Sequence, residues 1–327
     1  MVGLDQTTPR IGFPMSRLLT FLAALATALT LTAVPGASAA TPSVGPALAQ
    51  SGSSLLKPAT TWTTYKDVRY STASSGKATL ADVYAPNNGQ AQNPTVVWVH
   101  GGGWSSGDKA DNASLFSPLI KTGFVVVSIN YRLSAEAKWP AQLVDTKTAV
   151  RFLRAKATTY RIWPDKIGIW GASAGGHLAT MAGLTNSDPV WDVGQWLDQP
   201  SSVAAVQDDY GPTDLPRWTS NFAYPDPNSW VTPLLGCRAS TCPDKARNAS
   251  PITYAHTGGK PPVAIWHGTS DFTVPPSQST VLRDALVAAG NTATYTSVPG
   301  MSHGQVSYYT AARVTAVGTW FDGYLRS

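Results

Sequence analysis

The sequence is short of charge and nearly devoid of cysteine. Lys, Arg, Asp and Glu together make up 13% of its 327 residues, and only two cysteines occur. With 43% hydrophobic residues beside so little charge, a disordered chain is excluded. Two cysteines are too few for a zinc centre, and neither sits in a setting that would make it a nucleophile. The formal charge is only +5, and its positives are scattered. No run of Lys and Arg is interleaved with aromatics, so a nucleic-acid surface is not expected. There is no internal repeat, and no linker divides the chain after residue 60. What is abundant is tryptophan, with 12 in all. The length allows one large or two modest domains with a sizeable core.

The first residues read as a targeting segment. Arg10 and Arg17 precede an apolar run from 18 to 34, which ends near Pro35-Gly36 and is followed by Ala37-Ser38-Ala39. That is a small-x-small cleavage pattern, so residues 1–39 are expected to be a secretory signal peptide, with Met15 an alternative start. The run is slightly short for a membrane span and lacks positive anchors after it, so no stable membrane anchor is expected. Export would expose the chain to oxidising conditions. The close pair Cys237 and Cys242 is then most simply a disulfide, closing a short loop for about 2 kcal/mol. Residues 40–60, rich in Pro, Gly, Ser and Ala, are expected to be a flexible leader.

From residue 61 to 327 the patterning predicts one domain. Residues 61–72 and 78–84 alternate polar and apolar positions, as paired half-buried strands do. Residues 95–99, 123–128, 166–170, 203–206 and 262–266 are continuous apolar runs, as strands buried on both faces require. A further strand is expected over 292–298. Helical stretches lie at 113–121, 140–156, 277–289, with Ser277 a candidate N-cap, and 306–325. Alternating strands and crossover helices predict a mostly parallel sheet with helices on both faces, and the first two strands at its antiparallel edge. Residues 211–254 are long, irregular and rich in Pro, Asn and Ser. They read as a cap over one end of the sheet, braced by the cysteine pair.

Chemistry concentrates in Gly171-Ala172-Ser173-Ala174-Gly175-Gly176-His177, between a strand and a helix. A strand that turns sharply into a helix thrusts the turning side chain outward, and only glycine fits two residues to either side. The helix start offers free N–H groups where negative charge can develop. A serine there needs a base, and the base needs an acid to orient it. Of the five histidines, His303 is the best base, because it follows a strand in the glycine-flanked loop Pro299-Gly300-Met301-Ser302-His303-Gly304. Asp271, in His267-Gly268-Thr269-Ser270-Asp271, ends another strand and is the candidate acid. His100 is read as holding its loop, and His177 and His267 as fillers at a helix and a strand end. The run Gly101-Gly102-Gly103 lets backbone N–H groups face a bound oxygen. Those of Gly102, Gly103 and Ala174 would form an oxyanion hole. Trp104 is a candidate substrate contact, with Trp218 and Trp230 nearby.

The run HGGGW, then SINYRLS, GASAGGH and HGTSD…PGMSHG, resembles the α/β-hydrolase superfamily. More narrowly it is similar to the HGGG-type esterase and lipase group, akin to hormone-sensitive lipase. Residues 131–141 and the HGTSDFTVP segment are similar to secreted acetyl-xylan and feruloyl-type esterases. The resemblance spans residues 61–325. It implies an α/β-hydrolase fold and a serine hydrolase in which Ser173 is nucleophile, His303 base and Asp271 acid. The implied substrate is a small-molecule or carbohydrate-linked carboxylic ester, with no metal or organic cofactor. Amidases, peptidases and acyl transferases share this scaffold and remain alternatives, and a non-catalytic binding module is a third class. Ala172 stands where many relatives carry an acidic residue, which weakens inference about the substrate.

Overall fold

Along residues 96–99 successive side chains enter different cores: Val96 and Trp98 one, Val97 and Val99 the other. A strand whose alternating side chains are all apolar must be covered on both faces, and that condition sets the architecture. The computed structural model describes residues 57–326 apart from 187 and 220–225. The expected signal peptide (1–39) and residues 40–56 of the leader lie outside the described residues.

Eight strands form one sheet among the described residues: β1 (Trp62–Arg69), β2 (Leu80–Pro86), β3 (Asn93–Val99), β4 (Val125–Ile129), β5 (Ile162–Ala172), β6 (Val206–Asp209), β7 (Val263–Gly268) and β8 (Ala293–Val298). Their order is β1-β2-β4-β3-β5-β6-β7-β8. The β1–β2 and β2–β4 pairs are antiparallel and all others parallel. The expected antiparallel edge is therefore present. The helices are α1 (Ser117–Lys121), α2 (Ala141–Ala155), α3 (Ala157–Tyr160), α4 (Ala174–Leu184), α5 (Asn228–Leu235), α6 (Pro243–Asn248), α7 (Ser277–Ala288) and α8 (Ala311–Leu325). Residues of α2, α4 and α7 pack in one core, and those of α1 and α8 in the other. In the second, Trp98 of β3 meets its register neighbour Trp170 of β5 edge to face, with ring centroids 4.6 Å apart.

Several boundaries differ from expectation, each for a local reason. The sixth strand runs over Val206–Asp209 instead of 203–206. Gln207, Asp208 and Asp209 are fully buried there and hydrogen-bonded, so polar letters occupy interior positions. The last helix begins at Ala311, because the Thr310 hydroxyl accepts from Arg313 N and starts a new helix after a short 3-10 turn over Val306–Tyr308. Ser277 is the first residue of α7, not its cap, and Pro276 precedes it. The leader also stops short of residue 60: Ala59 is buried and its N–H donates to Lys121 O at 3.0 Å.

The stretch expected to be a cap holds α5 and α6, joined by the Cys237–Cys242 disulfide. Val231, Leu234, Leu235 and Ala246 anchor it in the same core as α4.

Candidate active site

The turn from β5 to α4 places Ser173 at φ 55° and ψ −122°, a conformation that a residue with a side chain avoids. The surrounding glycines are obligatory. A Cβ on Gly171 would lie 2.1 Å from Gly175 O, and one on Gly175 would lie 2.0 Å from Val99 O. The Ser173 N–H donates to Asp209 O at 2.8 Å, and Ser173 O accepts from His177 N at 3.0 Å. The serine is thus fixed by the end of β6 on one side and by the first turn of α4 on the other.

His303 reaches this serine from the loop after β8. Its Nε2 is 2.9 Å from Ser173 Oγ, and its Nδ1 is 2.7 Å from Asp271 Oδ2. A carboxylate can only accept, so Nδ1 carries the proton and Nε2 accepts from the serine hydroxyl. Asp271 Oδ1 accepts from the N–H groups of Thr273 and Val274 at 3.0 and 2.9 Å. Burial pushes the Asp271 carboxyl up. Hydrogen bonds from His267 and His303, and their charge, outweigh burial and hold it at about 2. The three residues singled out in the sequence therefore converge, 130 and 32 residues apart along the chain.

The glycine run folds back over the serine. Gly102 and Gly103 have φ of 108° and 58°. A Cβ on Gly102 would stand 2.2 Å from Ser106 O, and one on Gly103 would stand 2.4 Å from Trp230 Cδ1. Among the described residues no protein acceptor takes the N–H groups of Gly102, Gly103 or Ala174. Neighbours brace the loop: Gly102 O accepts from the N–H groups of Ser105 and Ser106, and Trp104 O accepts from Ser134 N. His100 acts here as expected, with its Nδ1 2.7 Å from Gly101 O and its ring stacked 4.4 Å from Tyr131. Burial lowers its pKa, so it holds the loop as a neutral ring.

A cavity of about 530 Å³ opens above Ser173, walled by the glycine loop, Trp104, Tyr210, Trp218, Trp230, Thr273, Val274 and Tyr309. Trp104 lines it but is 1% exposed, and its Nε1 donates to His177 Nδ1 at 3.2 Å. It shapes the wall with its polar atom already engaged. Trp218 and Trp230 stack within 8° of parallel at 5.9 Å, and Trp218 Nε1 is tied to Thr273 O.

Sequence reasoning missed several contributors. Tyr210 lies edge-on to His303 at 4.9 Å and hydrogen-bonds Tyr309 through the two hydroxyls at 2.6 Å. The signal was Gln207-Asp208-Asp209-Tyr210, a polar cluster at a strand's carboxyl end, where sites assemble. His177 proves more than a filler, because its Nε2 donates to Ala249 O at 2.6 Å while Nδ1 accepts from Trp104. His256 is exposed and takes no part.

Two predictions follow from this geometry. A Gly103→Ala substitution forces a Cβ onto the Trp230 ring and moves an N–H expected to face an oxyanion, so kcat toward an ester is expected to fall by about 10²–10³ with the fold retained. Steady-state kinetics beside a thermal melt check it, and near wild-type kcat would contradict the assignment. The second concerns acid. Burial, opposed by the bond to Ala249 O, lowers His177 from 6.5 to about 4. The unfolded chain therefore protonates first, and the stabilisation, full above 6.5, is lost as pH falls through about 4. Asp271 behaves alike lower down: its contribution is full above 3.8 and lost through about 2. Asp208 has the opposite sense. Burial raises it from 3.8 to about 7, so its contribution, full below 3.8, is lost as pH rises through about 7. His177→Gln keeps an acceptor and a donor but does not titrate. Its melting temperature is expected to fall less steeply than wild type between pH 6.5 and about 4, and equal slopes would refute the assignment.

A family model described as BD-FAE matches residues 81–286. The esterase LipQ of Mycobacterium tuberculosis is 33% identical over 240 residues, 70% of this chain and 54% of that protein. The chain spans about half the length of the first curated relatives it matches. Among solved structures, a truncated form of a carbohydrate esterase from gut microbiota is 33% identical with a TM-score of 0.74, covering 83% of this chain and 100% of that one. A bifunctional GH43-CE protein of Bacteroides eggerthii is 32% identical with a TM-score of 0.71, covering 79% of this chain and 37% of that one. The sheet order and the serine turn are those of an α/β-hydrolase fold, similar to the hormone-sensitive-lipase-like esterases. With the matched span running from β2 into α7 and enclosing Ser173 and Asp271, the chain belongs to the BD-FAE family.

Proposed function

We propose that the chain hydrolyses carboxylic esters through an acyl-serine intermediate. The observation that carries this reading is the hydrogen-bonded series Ser173 Oγ, His303 Nε2, His303 Nδ1, Asp271 Oδ2, with distances of 2.9 and 2.7 Å. Ser173 Oγ attacks the ester carbonyl as its proton passes to His303 Nε2. The N–H groups of Gly102, Gly103 and Ala174 take the oxyanion. His303 returns the proton to the leaving alcohol, and the acyl group stays on the serine. A water, deprotonated by His303, then attacks the acyl carbonyl, and the proton goes back to Ser173 as the acid leaves. Asp271 keeps the imidazole oriented and offsets the charge it carries between the two transfers.

The substrate class proposed is a small-molecule or carbohydrate-linked ester. Its support is the cavity of about 530 Å³ with the stacked Trp218–Trp230 pair in its wall, and the likeness to a carbohydrate esterase over the whole of that chain. Ser173→Ala is expected to lower kcat/KM for p-nitrophenyl acetate by about 10⁴ or more while leaving the melting temperature unchanged. It should also abolish labelling by a fluorophosphonate. Retained turnover in that variant, or wild-type preference for aminoacyl amides over esters, would overturn the reading.

Export is proposed as well. It rests on the Arg17-flanked apolar run over 18–34 followed by Ala37-Ser38-Ala39 and is supported by the closed Cys237–Cys242 bridge, which oxidising compartments favour. The mature protein recovered from culture medium is expected to begin at Ala40, as N-terminal peptide mass spectrometry would read. Material found only inside cells with the apolar run intact would refute it.

A further inference from the structure

A second histidine touches the catalytic acid. His267, at the carboxyl end of β7, is completely buried, and its Nε2 lies 3.2 Å from Asp271 Oδ2, the same oxygen that receives His303. That Nε2 also lies 2.8 Å from Val274 O. On its far side, Nδ1 is 2.6 Å from Ser279 Oγ in the first turn of α7, itself fully buried. A neutral ring has one arrangement compatible with these partners. Val274 O and a carboxylate oxygen can only accept, so Nε2 bears the proton. Nδ1 then accepts, and the Ser279 hydroxyl donates to it.

From this we infer that His267 is a positioning residue for the reaction: it presents its Nε2–H, shared with Val274 O, to Asp271, holds the carboxylate between two imidazoles, and moderates how strongly that carboxylate holds a proton on His303. The inference rests on the ester-hydrolysis reading above and deepens it. Four donors surround Asp271. The N–H groups of Thr273 and Val274 occupy Oδ1, while His303 and His267 share Oδ2. Each donor spreads the negative charge and fixes the plane of the carboxylate. His303 has to be unprotonated to accept from Ser173, so an acid too strongly attractive to the imidazolium would silence the base at mildly acidic pH. His267 weakens that attraction on the oxygen His303 uses. Ser279 in turn selects the tautomer of His267. The result is one line of polar contacts from α7 to the nucleophile: Ser279, His267, Asp271, His303, Ser173.

Other groups facing His267 are few. From β6 come Asp208, fully buried, and just beyond it Tyr210, whose ring lies 6.3 Å away. From its own loop comes Asp271, and through it His303. Asp208 accepts from Gly211 N and Thr180 Oγ1, and makes no hydrogen bond to His267 among the described residues.

The test compares wild type, His267→Leu and His267→Gln for kcat/KM on p-nitrophenyl acetate from about pH 5 to about pH 9. Leucine removes the donor to Asp271, whereas glutamine places an amide N–H near the position of Nε2. The acid limb of His267→Leu is expected to move to higher pH by about half a unit or more, because the uncompensated carboxylate favours imidazolium at His303. His267→Gln is expected to return the limb toward its wild-type place. A purely structural histidine would lower the melting temperature and the plateau and leave the limb where it was, and that outcome would overturn the inference. A second measurement needs neither variant. In wild-type protein carrying ¹⁵N-histidine, His267 is expected to be protonated at Nε2, and this N–H signal should shift as His303 titrates. An Nδ1-protonated ring, or a signal indifferent to His303, would overturn the inference. Should wild type prove inert toward esters, the ester reading would fall, and the spectroscopic result would still decide this one.

Discussion

The Ser173 N–H donates to Asp209 O, and on that contact rests a residue held at φ 55°. A side-chain-bearing residue in so sparsely populated a conformation costs about 1–3 kcal/mol and persists only where its surroundings leave no alternative. Here they leave none. β5 pairs with β6 up to Ala172–Asp209, and Gly171 and Gly175 let strand, helix and the end of β3 approach to within a missing Cβ of one another. Asp209 is itself held. Its carboxylate takes both outer nitrogens of Arg313, the Trp170 indole N–H and the Gln207 amide. Arg313 lies over the rings of Trp266 and Tyr308, about 4.3 and 4.4 Å from their centroids. A carboxylate buried without that guanidinium would cost about 3–5 kcal/mol, so the ion pair fixes the strand end from which the nucleophile hangs. The serine turn at the carboxyl end of the sheet thereby depends on α8.

Much of this could be read before any coordinates. The strands buried on both faces announced themselves as unbroken apolar runs, because the parallel sheet gives neither face to water. The convergence of Ser173, His303 and Asp271 was legible because small residues at a strand-to-helix turn, and polar letters at strand ends, have few other mechanical reasons. The sixth strand was misplaced by three residues for the converse reason: Asp208 and Asp209 are interior, and apolar periodicity has no way to register a charge whose partner, Arg313, comes 104 residues later. His267 was set aside as a filler on similar grounds. Its significance lies in a 3.2 Å approach to Asp271 that four residues of loop create, and a linear pattern does not encode which way a loop closes. Trp104, a candidate substrate contact in the sequence, lines the cavity, yet its indole N–H points to His177, a pairing 73 residues apart with no motif to signal it.

Those long-range pairings give the cap a part in the chemistry. Residues 211–254 read in the sequence as a cap over one end of the sheet, braced by the cysteine pair. They also reach the oxyanion loop at two separate points. Trp230, from α5, lies where a side chain on Gly103 would be, so the path of that glycine is bounded by the cap. Ala249, just after α6, accepts from His177 Nε2, and the opposite nitrogen of the same ring accepts from Trp104. Gly102 O is held within the loop by the N–H groups of Ser105 and Ser106, and Trp104 O takes Ser134 N from the body of the domain, while Gly103 and the Trp104 indole meet groups held by the cap or linked to it. Backbone donors stabilise an oxyanion only if they are aimed before the charge appears. For the oxyanion hole proposed here the aim would be set jointly by β3, by α4 and by the cap. A change in how α5 and α6 sit would therefore alter the rate as well as the fit of a substrate, because the same tryptophan that walls the cavity limits where the amide of Gly103 can go.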